Sequence, residues 1–176
     1  MSRQGKPRGW HFIDNGGTFR LDAPHETSYL YFPLVNEAGM ISVVTPMLHG
    51  DAKTGQNTFL LPPVSVEDLH VSRAARNVWI RTAEGQTWSA TGNSAAQIAG
   101  LLGEEAVTLE AGILWHKVTR TNPALGMQAE ITNVVPPAAD HVELMQVTLT
   151  NVGTEPLTLT PTAAVPIYGR SADNLR

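Results

Sequence analysis

Short runs in which apolar and polar residues alternate recur along nearly the whole chain, separated by clusters rich in Gly, Pro, Asn and Asp. A period of two places one set of side chains on each face of an extended backbone, so each run predicts a half-buried strand. Trp10, Phe12 and Ile13 lead into Asp14-Asn15-Gly16-Gly17, and Thr18-Phe19-Arg20-Leu21 returns as an opening hairpin. The densest stretch is residues 28–69. There Tyr29, Tyr31 and Pro33 alternate with Leu30, Phe32 and Leu34, Asn36-Glu37-Ala38-Gly39 turns, and Met40-Ile41-Ser42-Val43-Val44-Thr45 returns. Leu69 and Val71, and then Val78 to Arg81 with Trp79, give two further extended pieces. Thr87 to Thr91 with Trp88 returns after the turn Ala83-Glu84-Gly85-Gln86.

Residues 93–102 break the pattern. Ala95, Ile98, Ala99 and Leu102 recur at helical spacing, with Asn93 or Ser94 as N-cap and Gly103 as stop, which predicts one short helix. Beyond it Val107 and Leu109 alternate, Gly112 marks a bulge or bend, and residues 113–120 predict a longer strand carrying Trp115. Met127, Ala129 and Ile131 share one face of the next strand, and Pro136-Pro137 ends it for want of two N–H donors. Met145, Val147 and Leu149 then alternate toward Asn151-Val152-Gly153-Thr154-Glu155-Pro156, and Leu157, Leu159, Pro161 and Ala163 return, predicting a final hairpin. With about eleven strands at short spacing, one open sheet would curl or split. The expectation is an all-β fold: a two-sheet antiparallel β-sandwich with at most one short helix. Residues 1–9 are read as a flexible N-terminus and 10–176 as one sandwich domain.

Composition narrows the function classes. The chain has 176 residues, a formal net charge of −4 and no run of Lys or Arg, which argues against a nucleic-acid partner and an anionic membrane surface. No apolar run approaches the roughly 20 residues of a membrane span, and residues 1–10 lack a signal-peptide core. The expected location is cytoplasmic. Zero cysteines excludes disulfides and thiolate chemistry.

Catalytic signatures are sought and not found: there is no G-x-S-x-G, H-E-x-x-H, Walker or G-x-G-x-x-G motif. The six histidines, His11, His25, His49, His70, His116 and His141, form no H-x-H or i,i+4 pair. That spacing argues against a metal site, and their expected setting is the surface or a hydrogen-bonded strand position. Asp14 and Asp22 near His25-Glu26 could form an acid/base group, but aspartate in a Gly-rich turn has a backbone reason to be there. The four tryptophans are read as core or rim anchors rather than a sugar platform. Asp51, Lys53, Gln56 and Asn57 populate a polar loop suited to hydroxyl-rich ligands, though a solvated loop has the same composition.

One family is brought up by strings in consistent order: Tyr31-Phe32-Pro33-Leu34-Val35-Asn36-Glu37-Ala38-Gly39-Met40, Leu48-His49-Gly50-Asp51, Gln56-Asn57-Thr58-Phe59, residues 63–69, Ala75-Arg76-Asn77-Val78-Trp79 and Trp88-Ser89-Ala90-Thr91-Gly92. The start from Phe12 to Phe19 and the final Leu149-Thr150-Asn151 with Pro156-Leu157-Thr158 agree with them. Together they resemble the N-terminal region of glycoside hydrolase family 94 phosphorylases, nearest to the β-1,2-oligoglucan phosphorylases and more distantly to cellobiose phosphorylases and the phosphorylase-like end of cyclic β-1,2-glucan synthases.

The resemblance implies a non-catalytic sandwich, part of a larger super-sandwich, that packs against an (α/α)₆ barrel in the same polypeptide. The barrel would perform inverting phosphorolysis of a β-glucan oligosaccharide, with inorganic phosphate as co-substrate and no other cofactor. The catalytic acid would belong to the barrel, so this chain is expected to be a truncated portion, inactive alone. A homodimer is implied, with Tyr168, Arg170, Asn174 and Arg176 near substrate or interface; a plain C-terminal tail is the competing reading of those four. The alternative for the chain as a whole is a stand-alone carbohydrate-binding or oligomerisation module, with Trp88 or Gln56 and Asn57 holding sugar.

Overall fold

The computed structural model describes residues 9–27, 30–65, 67–68, 72, 75–101 and 105–171. Among these the strands, in chain order, are β1 (Trp10–Phe12), β2 (Phe19–Asp22), β3 (Phe32–Val35), β4 (Ile41–Val44), β5 (Ala52–Lys53), β6 (Thr58–Phe59), β7 (Asn77–Thr82) and β8 (Thr87–Ser89). They continue with β9 (Ala106–Gly112), β10 (Trp115–Asn122), β11 (Met127–Val134), β12 (Leu144–Asn151), β13 (Leu159–Ala164) and β14 (Arg170–Ser171). A 3₁₀ turn at Pro24–Glu26 and a single-turn helix, α1 (Ala95–Ile98), complete the elements.

The strands pair antiparallel in three sheets, ordered β1-β2-β9-β10-β11-β12, β14-β6-β5-β4-β3 and β13-β7-β8. The six-stranded sheet is one layer and the other two share the second. Leu34, Met40 and Val44 from the five-stranded sheet and its hairpin, Val78, Ile80 and Trp88 from the three-stranded sheet, and Met127, Ala129 and Ile131 from β11 bury their side chains in one core. A smaller cluster, Leu21, Val107, Leu109 and Val118, packs with Phe19 and Phe32. The fold is therefore the all-β antiparallel sandwich that the alternation predicts, with its second layer split in two.

The predicted turns at Asp14–Gly17, Asn36–Gly39 and Ala83–Gln86 each close a hairpin. In the second, Asn36 Oδ1 accepts from Met40 N–H at 3.0 Å, while its Nδ2 reaches across the sandwich to the carbonyls of Pro136 (3.2 Å) and Asp140 (2.9 Å). Alternation in β11 is complete, with Met127, Ala129, Ile131 and Asn133 inward.

Three expectations fail for identifiable reasons. The final hairpin does not form: β12 pairs with β11, whereas β13 crosses to the other layer and pairs with β7. The intervening turn is tied to the β10–β11 turn, because Val152 and Gly153 N–H donate to Gly126 O at 2.8 and 3.1 Å. Helix α1 buries none of its side chains and leaves Ile98 exposed, so its periodicity is not that of a core stripe. It is held by its ends. Ser94 and Gln97 form a reciprocal capping box, and Gly100, at φ 65°, closes a Schellman motif through Leu101 N–H to Ala96 O at 2.8 Å. Finally, the strand expected from residue 113 begins at Trp115, because Ile113 and Leu114 form a tight turn with Leu114 at φ 62° and Gly112 ends β9. Leu69, Val71 and Gly103 lie outside the described residues.

Candidate functional site

Strand β10 directs His116, Val118, Arg120 and Asn122 into the sandwich, so its inner face carries two bases and an amide where an ordinary sandwich strand carries aliphatics. Buried polar groups need partners, and the charged ones find them in two separate clusters.

In the first, Arg76 is 2% exposed and donates from Nε and Nη2 to the two oxygens of Glu143, at 2.5 and 2.7 Å. Nη1 donates to Gly50 O (3.0 Å), and Nη2 also lies within reach of Ser42 Oγ (2.8 Å) and Asp51 O (3.3 Å). Glu143 also accepts from Ser42 Oγ–H and Asn133 Nδ2. This cluster joins β4, the segment before β7, β11 and the segment before β12, so it clamps both layers. His116 lies fully buried beside Phe32, ring centroids 5.0 Å apart, and neither ring nitrogen has a hydrogen-bond partner among the described residues. Burial, reinforced by the charge of Arg76, pushes its pKa down to about 3.

In the second cluster Glu105 accepts from Trp88 Nε1 (2.7 Å), Gln97 Nε2 (3.0 Å), Asn122 Nδ2 (3.1 Å) and Arg120 Nη1 (2.7 Å). The guanidinium of Arg120 lies flat against Gly92, at φ 86°, in space that any Cβ would occupy. Arg120 Nη2 approaches Thr91 O at 3.5 Å. Next to it, Asn93 Oδ1 accepts from His49 Nε2 at 2.7 Å, while its Nδ2 donates to Met47 O and Thr91 Oγ1.

An open cleft of about 1140 Å³ overlies this second cluster. Its floor and walls come from the 3₁₀ turn (His25), the loop after β4 (His49), β7 (Trp79), the β8–α1 segment (Asn93), α1 (Gln97, Ile98), β10 (Arg120) and the strand exit at Val165. Burial, then the nearby positive charge of Arg120, lowers the pKa of His25, against the weaker opposing effect of Glu26 and Glu105.

Of the C-terminal residues singled out from sequence, the structure describes two, Tyr168 and, in part, Arg170. Tyr168 donates its backbone N–H to Leu60 O at 2.8 Å, and its buried hydroxyl has no partner among the described residues. Arg170 pairs through its backbone with Phe59 at the edge of the five-stranded sheet; Asn174 and Arg176 lie outside the described residues. Tyr168 is not among the described residues that line the cleft. In the polar loop, Asp51 Oδ2 caps Val64 N–H at 3.1 Å and Lys53 sits 5.9 Å from the Phe59 ring, while Gln56 and Asn57 are exposed.

Trp88 is 1% exposed with its indole N–H on Glu105, so it cannot stack on a sugar. Trp10, expected to be a core or rim anchor, is instead exposed at the sheet edge, in edge-to-face contact with Phe12. Asp14 fills its turn role, accepting from Gly16 and Thr18 N–H, and His116 departs from the expected surface or hydrogen-bonded setting.

Sequence reasoning missed Glu105, Arg120, Arg76 and Glu143. One signal was present: Arg120 and His116 share the parity of Val118, opposite the inward set Ala129, Ile131 and Asn133. The chain matches no protein-family model and no curated protein.

Proposed function

We propose that this chain is the non-catalytic β-sandwich portion of a carbohydrate-active enzyme resembling the inverting β-glucan phosphorylases. In this reading it supplies a scaffold for an (α/α)₆ barrel, contacts for a homodimer, and a loop near the active site, while the barrel carries out phosphorolysis of a β-1,2-linked oligoglucan with inorganic phosphate. The observation that carries the reading is the use of two largely buried carboxylates. Glu105 and Glu143 each accept on both oxygens, each from an arginine and from neutral donors, so both are built into the clamp between layers rather than placed as a general acid. The antiparallel sandwich architecture, which is the one the resemblance implies, also supports it.

The reading frame of the gene beyond codon 176 tests this. The expected continuation encodes a long series of paired helices, and the full product consumes phosphate with a β-1,2-oligoglucan and releases glucose 1-phosphate. A stop codon at that point, or a continuation without helical repeats, sinks the proposal.

A further inference from the structure

The cleft beneath α1 has a chemical character of its own. Among its described lining residues the charged pair is Arg120 with Glu105, and at 2.7 Å they cancel one another. Burial and the charge of Arg120 both disfavour the charged form of His25. The remaining polar side chains of the described lining are mainly amides (Asn77, Asn93, Gln97) and imidazoles (His25, His49), with the Ser72 hydroxyl beside them, groups able to exchange hydrogen bonds with hydroxyls. Trp79, half-buried on the wall, supplies an aromatic face, and Ile98 and Val165 an exposed aliphatic rim. A described lining whose one charge pair compensates itself, with hydrogen-bonding groups on one side and an indole on the other, suits a ligand that is polar at its edges and apolar on its faces.

Hydrogen-bonding capacity is left over in the right place. Asn93 uses both amide hydrogens internally but keeps a lone pair on Oδ1, and the His25 ring is exposed at the mouth with no hydrogen bond to described residues. The walls are tied together by the capping box, the Schellman closure and the Asn93–His49 bond. The volume exceeds what a drug-sized molecule fills, which favours more than one sugar ring.

We propose that this cleft binds a short neutral oligosaccharide, one ring stacked on Trp79 and its hydroxyls held by His25 and Asn93. The inference shares the saccharide chemistry of the reading above but needs no barrel.

The test is titration of the ¹⁵N-labelled 176-residue chain with sophorose, laminaribiose and cellobiose and their trisaccharides, followed by two-dimensional NMR. At least one of these sugars should move the Trp79 indole N–H, assigned through Trp79→Phe, together with the Asn93 side-chain amide. Trp79→Ala should weaken binding by about tenfold and His25→Ala by a smaller factor, whereas Trp79→Phe, which keeps an aromatic face, should stay close to wild type. A dispersed spectrum for each variant separates lost binding from lost fold.

No movement at Trp79 with any of these sugars overturns the proposal, as does movement confined to the exposed Trp10–Phe12 pair. Tighter binding of a glucuronic-acid disaccharide than of its neutral counterpart overturns the neutral-ligand assignment. Sugar binding by a chain whose gene encodes no barrel leaves this inference standing and removes the parent-enzyme reading; a barrel gene with no binding does the reverse.

Discussion

Arg76 and Glu143 stand 67 positions apart in sequence and meet in a two-pronged pair, Nε and Nη2 each donating to a different oxygen of the same carboxylate. Such a pair contributes little against an apolar replacement of both members, yet removing one member strands a buried charge. Glu143→Ala should therefore cost about 3–5 kcal/mol in urea unfolding. The double replacement Arg76→Met with Glu143→Met should recover most of it, and a single variant within about 1 kcal/mol of wild type would show that the clamp is not structural.

His116 makes stability depend on pH in a defined direction. Its folded-state pKa, about 3, lies below the ordinary 6.5, so the unfolded chain takes up the proton first. The stability is intact above pH 6.5 and falls as pH drops from there toward 3, by at most about 1.4 kcal/mol per pH unit. His116→Leu removes this contribution, so the gap between the two proteins' unfolding free energies should shift steadily in favour of the variant over that window. A gap independent of pH would count against a neutral, buried ring.

Trp88→Phe keeps most of the apolar volume and deletes the indole N–H that Glu105 accepts at 2.7 Å. Losing a hydrogen bond to a charged group costs about 1.5–3 kcal/mol. Chemical denaturation should show a loss of that order, and Gln97→Ala, which removes another donor to the same carboxylate, should give a loss in the same direction.

Gly92→Ala meets two obstacles: a positive φ of 86° and the guanidinium of Arg120 where the methyl would go. The substitution should lower stability by more than about 1 kcal/mol. Arg120→Leu in the same background would relieve the overlap without relieving the backbone strain. Thermal unfolding of the single and double variants separates the two effects.

Much of the layer architecture was legible in the sequence because alternation reports which side of a strand faces the core. It does not report which neighbour the strand pairs with. Met145, Val147 and Leu149 on β12 and Leu159 on β13 satisfy the core equally well in a hairpin or in an arch between layers, and the arch wins because β7 offers β13 an edge and Gly126 O holds the turn. The capped ends of α1 were legible, since Ser94 and Gln97 have capping-box spacing, but its burial was not, because one helical turn is too short for period to mean a face. The candidate cleft was the least legible part. Its residues come from seven separate segments, and each of them, read singly, has an ordinary structural meaning.

The separation between Arg76 and Glu143 also has a consequence for synthesis on the ribosome. Strands β3 to β6, together with the carbonyls of Gly50 and Asp51, are complete early, and Arg76 soon follows to bridge them. Its counter-charge emerges 67 residues later, and β2 likewise waits for β9. In the finished fold the N-terminal half thus relies on a later segment for the carboxylate that Arg76 meets, and the opening hairpin relies on β9 for the sheet it joins. The pairings that complete the sandwich, β2 with β9, β7 with β13 and β6 with β14, all join segments far apart in sequence, so neither layer is finished by its N-terminal strands alone.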